Sequence, residues 1–324
     1  MKKSKHLCFI GFVSAFFVFL SIKATSPSLP NLDHPLIFYS NHTRDDLKLV
    51  VLKTLKQAKK KIFVHIYSLS DPDVLFLIED KAQKGCDVEI FFDPSASPLP
   101  KALSSKIKTK EHIAQSLMHR KIICVDDQLA LIGSANLTPQ SLKMHDNLMV
   151  GFYHPALANF LQKQEERAHF YDQENRFSTY MLPHPKALED LLSCIDKASQ
   201  TIKVCLFTLS HPKIVSHLVQ AVERGVEVSC ILDRYTAKGA SKQQAEILKT
   251  KGVKLYTHTG SQLFHHKWAL IDNTHFILGS ANWTKAAFKR NKECLVIFDF
   301  LSFAQQKKLT KIWTKIKNES VLCI

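Results

Sequence analysis

The strongest constraint on how this chain folds is that it repeats itself. The segment Lys61-Ile-Phe-Val-His-Ile-Tyr-Ser-Leu-Ser-Asp-Pro72 leads to Lys84-Gly-Cys-Asp-Val-Glu-Ile-Phe-Phe-Asp93. It returns as Thr201-Ile-Lys-Val-Cys-Leu-Phe-Thr-Leu-Ser-His-Pro212, followed by Arg224-Gly-Val-Glu-Val-Ser-Cys-Ile-Leu-Asp233. Pro72 and Pro212, Gly85 and Gly225, and Asp93 and Asp233 are each 140 residues apart. Further on the spacing becomes 146, for His119 and His265, Lys121 and Lys267, Asp126 and Asp272, Gly133 and Gly279, Ser134 and Ser280, Asn136 and Asn282. The change of six falls between Asp93 and His119, where the two loops differ in length. Two copies of one module therefore fill nearly all of the chain after residue 34.

Each copy reads as α/β. Residues Asp46 to Lys60 and Lys186 to Ser199 carry apolar positions at helical period, and Ile62–Tyr67 and Ile202–Phe207 are β-branched and aromatic runs of strand length. Val74–Lys84 and Ile214–Arg224 return to helical period and stop at Gly85 and Gly225, where a helix C-terminus favours glycine. Val88–Phe92 and Val226–Leu232 read as buried strands. The alternation predicts a helix-covered sheet in each copy. The halves span 34–165 and 183–318, and the aperiodic stretch 166–182 between them is expected to be a linker.

The repeated polar residues form one constellation, His119-x-Lys121-x4-Asp126-x6-Gly133-Ser134-x-Asn136, and again His265-x-Lys267-x4-Asp272-x6-Gly279-Ser280-x-Asn282. Residues two apart on a strand face the same way, so each His and Lys share a face while Ile122, Cys124 and Leu270 serve the core. A turn at Asp126-Asp127-Gln128, or Asp272-Asn273, returns a second strand over Leu129–Ile132 or His275–Leu278. Gly-Ser-x-Asn at its end then comes to lie beside the His and Lys. Glycine permits close backbone approach, and the Ser hydroxyl and Asn amide can bond a phosphate oxygen. Six fixed positions occurring twice exceed coincidence.

On these residues the sequence resembles the phospholipase D superfamily, whose HxKx4Dx6GSxN signature stands complete in both halves. The resemblance covers roughly residues 34 to 318 and points to the small bacterial, cardiolipin-hydrolase and nuclease branch. It implies two homologous α/β sandwich halves related by a pseudo-two-fold axis, with both motifs meeting in one shared active site. It also implies phosphodiesterase chemistry without cofactor or metal, active in chelator. Lys121 and Lys267, with Asn136, Asn282, Ser134 and Ser280, would cradle the phosphate oxygens. One imidazole would attack phosphorus and the other protonate the leaving alcohol, then activate water. Family precedent makes His119 the nucleophile and His265 the general acid and base.

Relatives place a carboxylate downstream of the motif to hold an imidazole. Glu293 stands 28 residues past His265, whereas Asn147 stands 28 past His119, preceded by His145 and Asp146. Glu293 is thus expected to hold His265, with Asp146 a candidate for the first copy. A carboxylate on His265 would favour that ring as nucleophile instead, so the division of roles stays open. Asp126 and Asp272 belong to the signature, but their turn positions suggest structural hydrogen bonding. Leu137 and Trp283 are expected to pack beneath the site. His112, His258 and His266 read as solvated surface residues, or as lining of the entrance.

With 44 Lys+Arg against 29 Asp+Glu, the chain carries +15 and suits an anionic partner. Lysines crowd residues 53–61 and 101–110. A phospholipid at a membrane surface is the favoured phosphodiester, nucleic acid is possible, and no obligate protein partner is implied. An exported endonuclease, a cardiolipin-synthase-like transferase and a non-catalytic phosphate- or lipid-binding module remain alternatives. At 45% hydrophobic, with one apolar stretch near membrane length, the chain is neither disordered nor a polytopic transporter. That stretch, Leu7 to Ile22, follows Lys2, Lys3 and Lys5 and precedes Ala24, so residues 1–24 read as a cleaved signal or an anchor. The protein is accordingly expected to be exported or membrane-associated. Cys124, Cys205, Cys230 and Cys294 fall inside apolar strand runs and are expected to be buried thiols.

Overall fold

The computed structural model describes residues 26–97, 99, 103–172 and 174–323, so the segment 1–24 lies outside the described residues. The first half contains β1 (Leu36–Ser40), α1 (Leu47–Gln57), β2 (Lys61–Ile66), α2 (Pro72–Gln83), β3 (Asp87–Phe92) and β4 (Ile107–Glu111). It continues with β5 (Lys121–Val125), β6 (Leu129–Gly133), α3 (Pro139–Lys143) and β7 (Leu148–Tyr153). Then come α4 (Pro155–Lys163) and β8 (Arg167–Tyr171). The second half holds β9 (Arg176–Leu182), α5 (Pro185–Asp196), β10 (Thr201–Leu206), α6 (Pro212–Glu223), β11 (Glu227–Asp233), α7 (Arg234–Lys238) and α8 (Lys242–Thr250). It ends with β12 (Lys254–His258), β13 (Lys267–Ile271), β14 (His275–Gly279), α9 (Lys285–Lys289), β15 (Glu293–Phe300), α10 (Phe303–Asn318) and β16 (Ser320–Leu322).

The strand order β1-β7-β6-β5-β2-β3-β4 in one sheet reappears in the other as β9-β15-β14-β13-β10-β11-β12, with β8 and β16 added at its edges. The expected linker is therefore no linker. Its residues form the β8–β9 hairpin, and β9 is the second copy's counterpart of β1, paired antiparallel with β15 as β1 is with β7. The stretch looked aperiodic because Phe177 to Leu182 are all buried, which erases the alternation that marks a half-exposed strand. The six-residue length difference is absorbed where α7 and α8 replace the loop between β3 and β4.

The two sheets pack face to face and helices cover their outer faces, giving four layers. Along β5, Ile122 and Cys124 enter the central core while Ile123 and Val125 meet α1 and α2. Along β13, Trp268 and Leu270 face inward, and Ala269 and Ile271 face α5 and α6. Burial on both faces explains why these strands are unbroken apolar runs. The central layer is aromatic: Phe38 meets Phe276 edge-on at 5.3 Å, and Phe152 lies parallel to Phe298 at 6.1 Å. Because β5 and β13 both line this layer, packing the core also brings the two motifs together. The seven described cysteines are free thiols, with Cys124, Cys205, Cys230 and Cys294 buried.

The helices stop where the sequence says they should. Asp71 caps α2 by accepting from the backbone of Asp73 and Val74, and Gly85 and Gly225 take φ of 91° and 90° just beyond α2 and α6. The motif aspartates do equivalent work on the hairpins. Asp126 adopts φ of 51° and accepts from the backbone N–H groups of Lys59, Lys60 and Lys61 at 2.7–2.8 Å. Asp272, at φ 48°, accepts from Ser199, Gln200 and Thr201 at 2.8–2.9 Å. Burial raises the Asp126 and Asp272 carboxyls, but the backbone bonds outweigh it and hold both below the usual range. Each sits one strand length, roughly 15 Å, from the lysine of its own motif. Although part of the catalytic signature, the two aspartates do the structural hydrogen bonding their turn positions suggested and stand away from the catalytic residues: they lock the β5–β6 and β13–β14 turns to the starts of β2 and β10. Asp272→Ala or Asp126→Ala should cost ~2–4 kcal/mol by stranding backbone donors. Urea denaturation of either variant checks this, and an unchanged midpoint would refute it.

Candidate active site

Lys121 and Lys267 open β5 and β13, and His119 and His265 stand two residues upstream, before the strands begin. What holds them is pairing across the halves. Met118 bridges Lys292, with the His119 amide donating to the Lys292 carbonyl at 2.8 Å. Phe264 bridges Asp146, with the His265 amide donating to the Asp146 carbonyl at 2.9 Å. Each histidine is thus fastened to the residue before the other half's orienting group.

The side chains complete the exchange. Glu293 holds His119, not His265: both carboxylate oxygens lie 2.9 Å from His119 Nδ1. His265 Nδ1 instead meets Asn147 Oδ1 at 3.1 Å. This corrects two expectations, because spacing along the sequence could not reveal that each orienting residue serves the opposite copy. Nor does Asp146 orient either motif histidine; its carboxylate faces His42 and His258 at 3.6 and 3.7 Å. Burial, with Glu319 nearby, pushes that carboxyl up to about 7.

The serines take a different place from the one expected. Ser280 Oγ donates to Glu293 at 2.6 Å and accepts from the Cys294 amide at 2.9 Å. Ser134 Oγ donates to Asn147 Oδ1 at 2.7 Å and accepts from the Leu148 amide at 3.1 Å. Both hydroxyls are spent behind the histidines rather than offered to a phosphate. A Cβ on Gly133 or Gly279 would collide with the Leu148 or Cys294 carbonyl, so the motif glycine allows this close approach. Asn147 Nδ2 donates to the Ser141 carbonyl at 2.8 Å, which leaves Oδ1 as the acceptor for His265. Beside these groups, the Asn136 and Asn282 side-chain oxygens are buried with no partner among the described residues. Leu137 and Trp283 pack as expected, and their carbonyls accept from Ser70 and Asp71, and from Ser210 and His211.

Among the described residues each ammonium makes one hydrogen bond, Lys121 Nζ to the His119 carbonyl and Lys267 Nζ to the His265 carbonyl, both at 2.8 Å. They also stand 5.3 Å from the Tyr67 and Phe207 rings. Burial lowers Lys121 to about 7, against the pull of Glu293, and drives Lys267 well down with help from Lys121. An anion placed between these lysines would favour their charged forms, which burial penalises. The imidazoles are unequal. Burial lowers both, but Glu293 opposes it at His119, whereas Lys267, Lys121 and His119 add to it at His265.

Sequence reasoning missed Asn147 as the partner of His265, although it stood at the right spacing, and misplaced two histidines. His258 and His266 are buried rather than solvated, at 1% and 0% exposure. Burial lowers His42 to about 4 and holds His65, His265 and His266 well below their ordinary value. These rings stay neutral in the folded chain while the unfolded chain takes up protons near pH 6.5. Their contribution is therefore complete above that pH and is lost as pH falls toward the folded values, near 4 for His42. Unfolding midpoints should drop steadily between about pH 7 and 4.5, each such ring adding up to ~1.4 kcal/mol per pH unit. A flat profile over that range would contradict it.

A family model described as cardiolipin synthase, PLD-like domain, matches residues 51–168 and 191–313. The mitochondrial cardiolipin hydrolase of Xenopus laevis is 35% identical over 136 residues, which is 41% of this chain and 64% of that protein. A phospholipase D of Rickettsia conorii is 30% identical over 131 residues, 40% of this chain and 65% of that one. The chain therefore aligns with somewhat under two thirds of each of these relatives. The crystal structure of the phosphatidylserine synthase of Haemophilus influenzae superposes with a TM-score of 0.72, covering 92% of this chain and 88% of that one at 12% identity, which speaks for the fold alone. With one matched segment in each half, both carrying the full motif, the chain belongs to the phospholipase D superfamily.

Proposed function

We propose that the protein hydrolyses phospholipid phosphodiesters, releasing phosphatidic acid and the head-group alcohol through a phosphohistidine. The observation that carries this reading is the crossed pair of histidines, one held by a carboxylate and the other by an amide, with two buried lysines beside them. A carboxylate only accepts, so His119 Nδ1 keeps its proton and Nε2 presents a lone pair. Attack by Nε2 forms the N–P bond and places positive charge on the ring, where Glu293 stabilises it. The bound phosphodiester anion offsets the charge of the two lysines, so that His265, neutral in the free chain, takes up a proton on Nε2. The P–O bond to the leaving alcohol breaks as Nε2 passes that proton to the departing oxygen. His265 then takes a proton from water, whose oxygen displaces His119 and frees phosphatidic acid. Lys121 and Lys267, with the Asn136 and Asn282 amides, carry the charge of the non-bridging oxygens. The steps need no metal and no cofactor.

The phospholipid assignment is supported by relatives named as a cardiolipin hydrolase and a phospholipase D, and by a formal charge of +15 that favours an acidic bilayer. The basic and apolar residues 1–24 further support a place at or beyond a membrane. Among the described residues no helix is long and apolar enough to cross one.

Protein in EDTA at 25 °C should release phosphatidic acid from phosphatidylcholine or cardiolipin vesicles. Cleavage of single-stranded DNA or RNA with silent lipid would turn the reading to a nuclease. Silence on both would leave a binding module. The roles separate with a diester carrying a p-nitrophenolate leaving group, which needs no acid. His265→Ala should still form a phosphoenzyme, visible as a mass adduct on the His119 peptide, and His119→Ala should not. The reverse pattern would exchange the two assignments. On ordinary lipid, Glu293→Gln should lower kcat about 10²–10⁴-fold by misorienting His119, and unchanged turnover would exclude it from the mechanism.

A further inference from the structure

We propose that His42, Asp146 and His258 form a binding site for a divalent transition-metal ion of the zinc class, distinct from the phosphodiester site and clamping the His265 strand. The three come from separate parts of the chain: the turn after β1, the residue before Asn147, and the last residue of β12. Their ligand atoms all lie within 4.8 Å of one another. His42 Nε2 stands 3.6 Å from Asp146 Oδ1, and His258 Nε2 stands 3.7 Å from Oδ2. These separations are too long for hydrogen bonds. They approach the edge of a tetrahedron around zinc, about 3.4 Å for ligands at 2.0–2.1 Å. The imidazole side chains are 3% and 2% exposed, and no described group bonds either Nε2. Buried nitrogens of this kind are ordinarily satisfied.

The surroundings suit an ion. Glu319, half exposed, brings Oε2 to 3.5 Å from His258 Nε2 and 3.6 Å from His42 Nδ1, as an entry-side ligand or an outer partner for the His42 ring. His266 stacks on His42 at 5.2 Å but is not a ligand. The Trp268 indole can only donate, and it donates to His266 Nδ1 at 3.1 Å, so the His266 proton sits on Nε2.

The pseudo-symmetry sharpens the argument. At the equivalent place in the other half, Lys292 stands for Asp146, His112 for His258 and Arg120 for His266. There the buried Arg120 guanidinium spans the junction, donating to the Glu293 carbonyl at 3.3 Å and the Leu182 carbonyl at 3.4 Å. One junction is thus braced by a built-in cation. The other lacks that cation and sets the Asp146 carboxylate and the His42 imidazole beside His258, whose counterpart is also a histidine, a donor set that binds a cation from solution. Asp146 pairs its amide with Leu263 and its carbonyl with His265, so an ion there would fix the strand that positions the second motif histidine.

The test uses the full chain, stripped with EDTA, returned to chelator-free buffer with a thiol-free reductant, and titrated calorimetrically with Zn2+ alone. Co2+ serves as a second probe, since tetrahedral coordination gives an intense visible absorption. One equivalent should bind at about 1 µM or tighter, and the melting temperature should rise with Zn2+ concentration. His42→Ala and His258→Ala should each weaken binding at least ~100-fold and abolish the thermal gain, while His119→Asn keeps both. Should an alanine variant fail to fold, Asp146→Asn and the Zn2+-dependent melting of the unsubstituted chain still decide. No stoichiometric heat with unchanged melting, as when only water fills the site, would overturn the proposal. So would binding that survives both His42→Ala and His258→Ala. Neither readout involves turnover, so failure here leaves the phosphodiesterase reading intact.

Discussion

The exchange between halves at His119–Lys292 and His265–Asp146 is the contact on which the rest of the molecule depends. Two short backbone pairings, at 2.8 and 2.9 Å, place each histidine against the orienting residue of the opposite copy. Neither half holds its own imidazole, so neither half is a site by itself. The face-to-face sheets supply the force that keeps this junction closed, because Trp268, Phe276 and Phe298 lose water only when the first sheet covers them. Packing and chemistry are thereby one constraint: separating the sheets would also strip Glu293 from His119.

Burial at that junction sets the electrostatics. Lys121, Lys267 and both histidines are removed from water, and each is pushed toward its neutral form. Among the described residues Glu293 is the one carboxylate bonded to a motif imidazole, and that breaks the symmetry of the duplicated motif. Asn147 offers a similar shape without charge. A duplicated fold can thus give two identical side chains unequal properties by changing one residue behind each. The same logic separates Arg120 from His266 at the outer ends of the two junctions.

How much of this was legible depended on how local each feature was. The helices and strands read from the sequence emerged within three residues at each end, because caps such as Asp71 and Gly85 and the apolar periods act over a few neighbours. The Asp126 and Asp272 turns were legible as turns, though not the reach of their carboxylates to backbone more than 60 residues away. The β8–β9 hairpin was missed because complete burial of Phe177 to Leu182 removes the polar phase that identifies a strand. Ser134 and Ser280 were read as phosphate ligands because a hydroxyl suits either role. Which role it fills depends on what stands 13 positions later, at Asn147 and Glu293.

By itself, then, the sequence determined the duplication, the α/β character of each copy, and the identity of the residues available for chemistry. These follow from spacing and side-chain type, which need no partner. The tertiary structure alone decided who holds whom: Glu293 on His119, Asn147 on His265, the serines behind them, and His42, Asp146 and His258 gathered from separate segments. Such pairings are set by how one sheet lies on another. Positions a hundred or more residues apart carry no mark of that in the linear pattern, so only the packed halves could assign them.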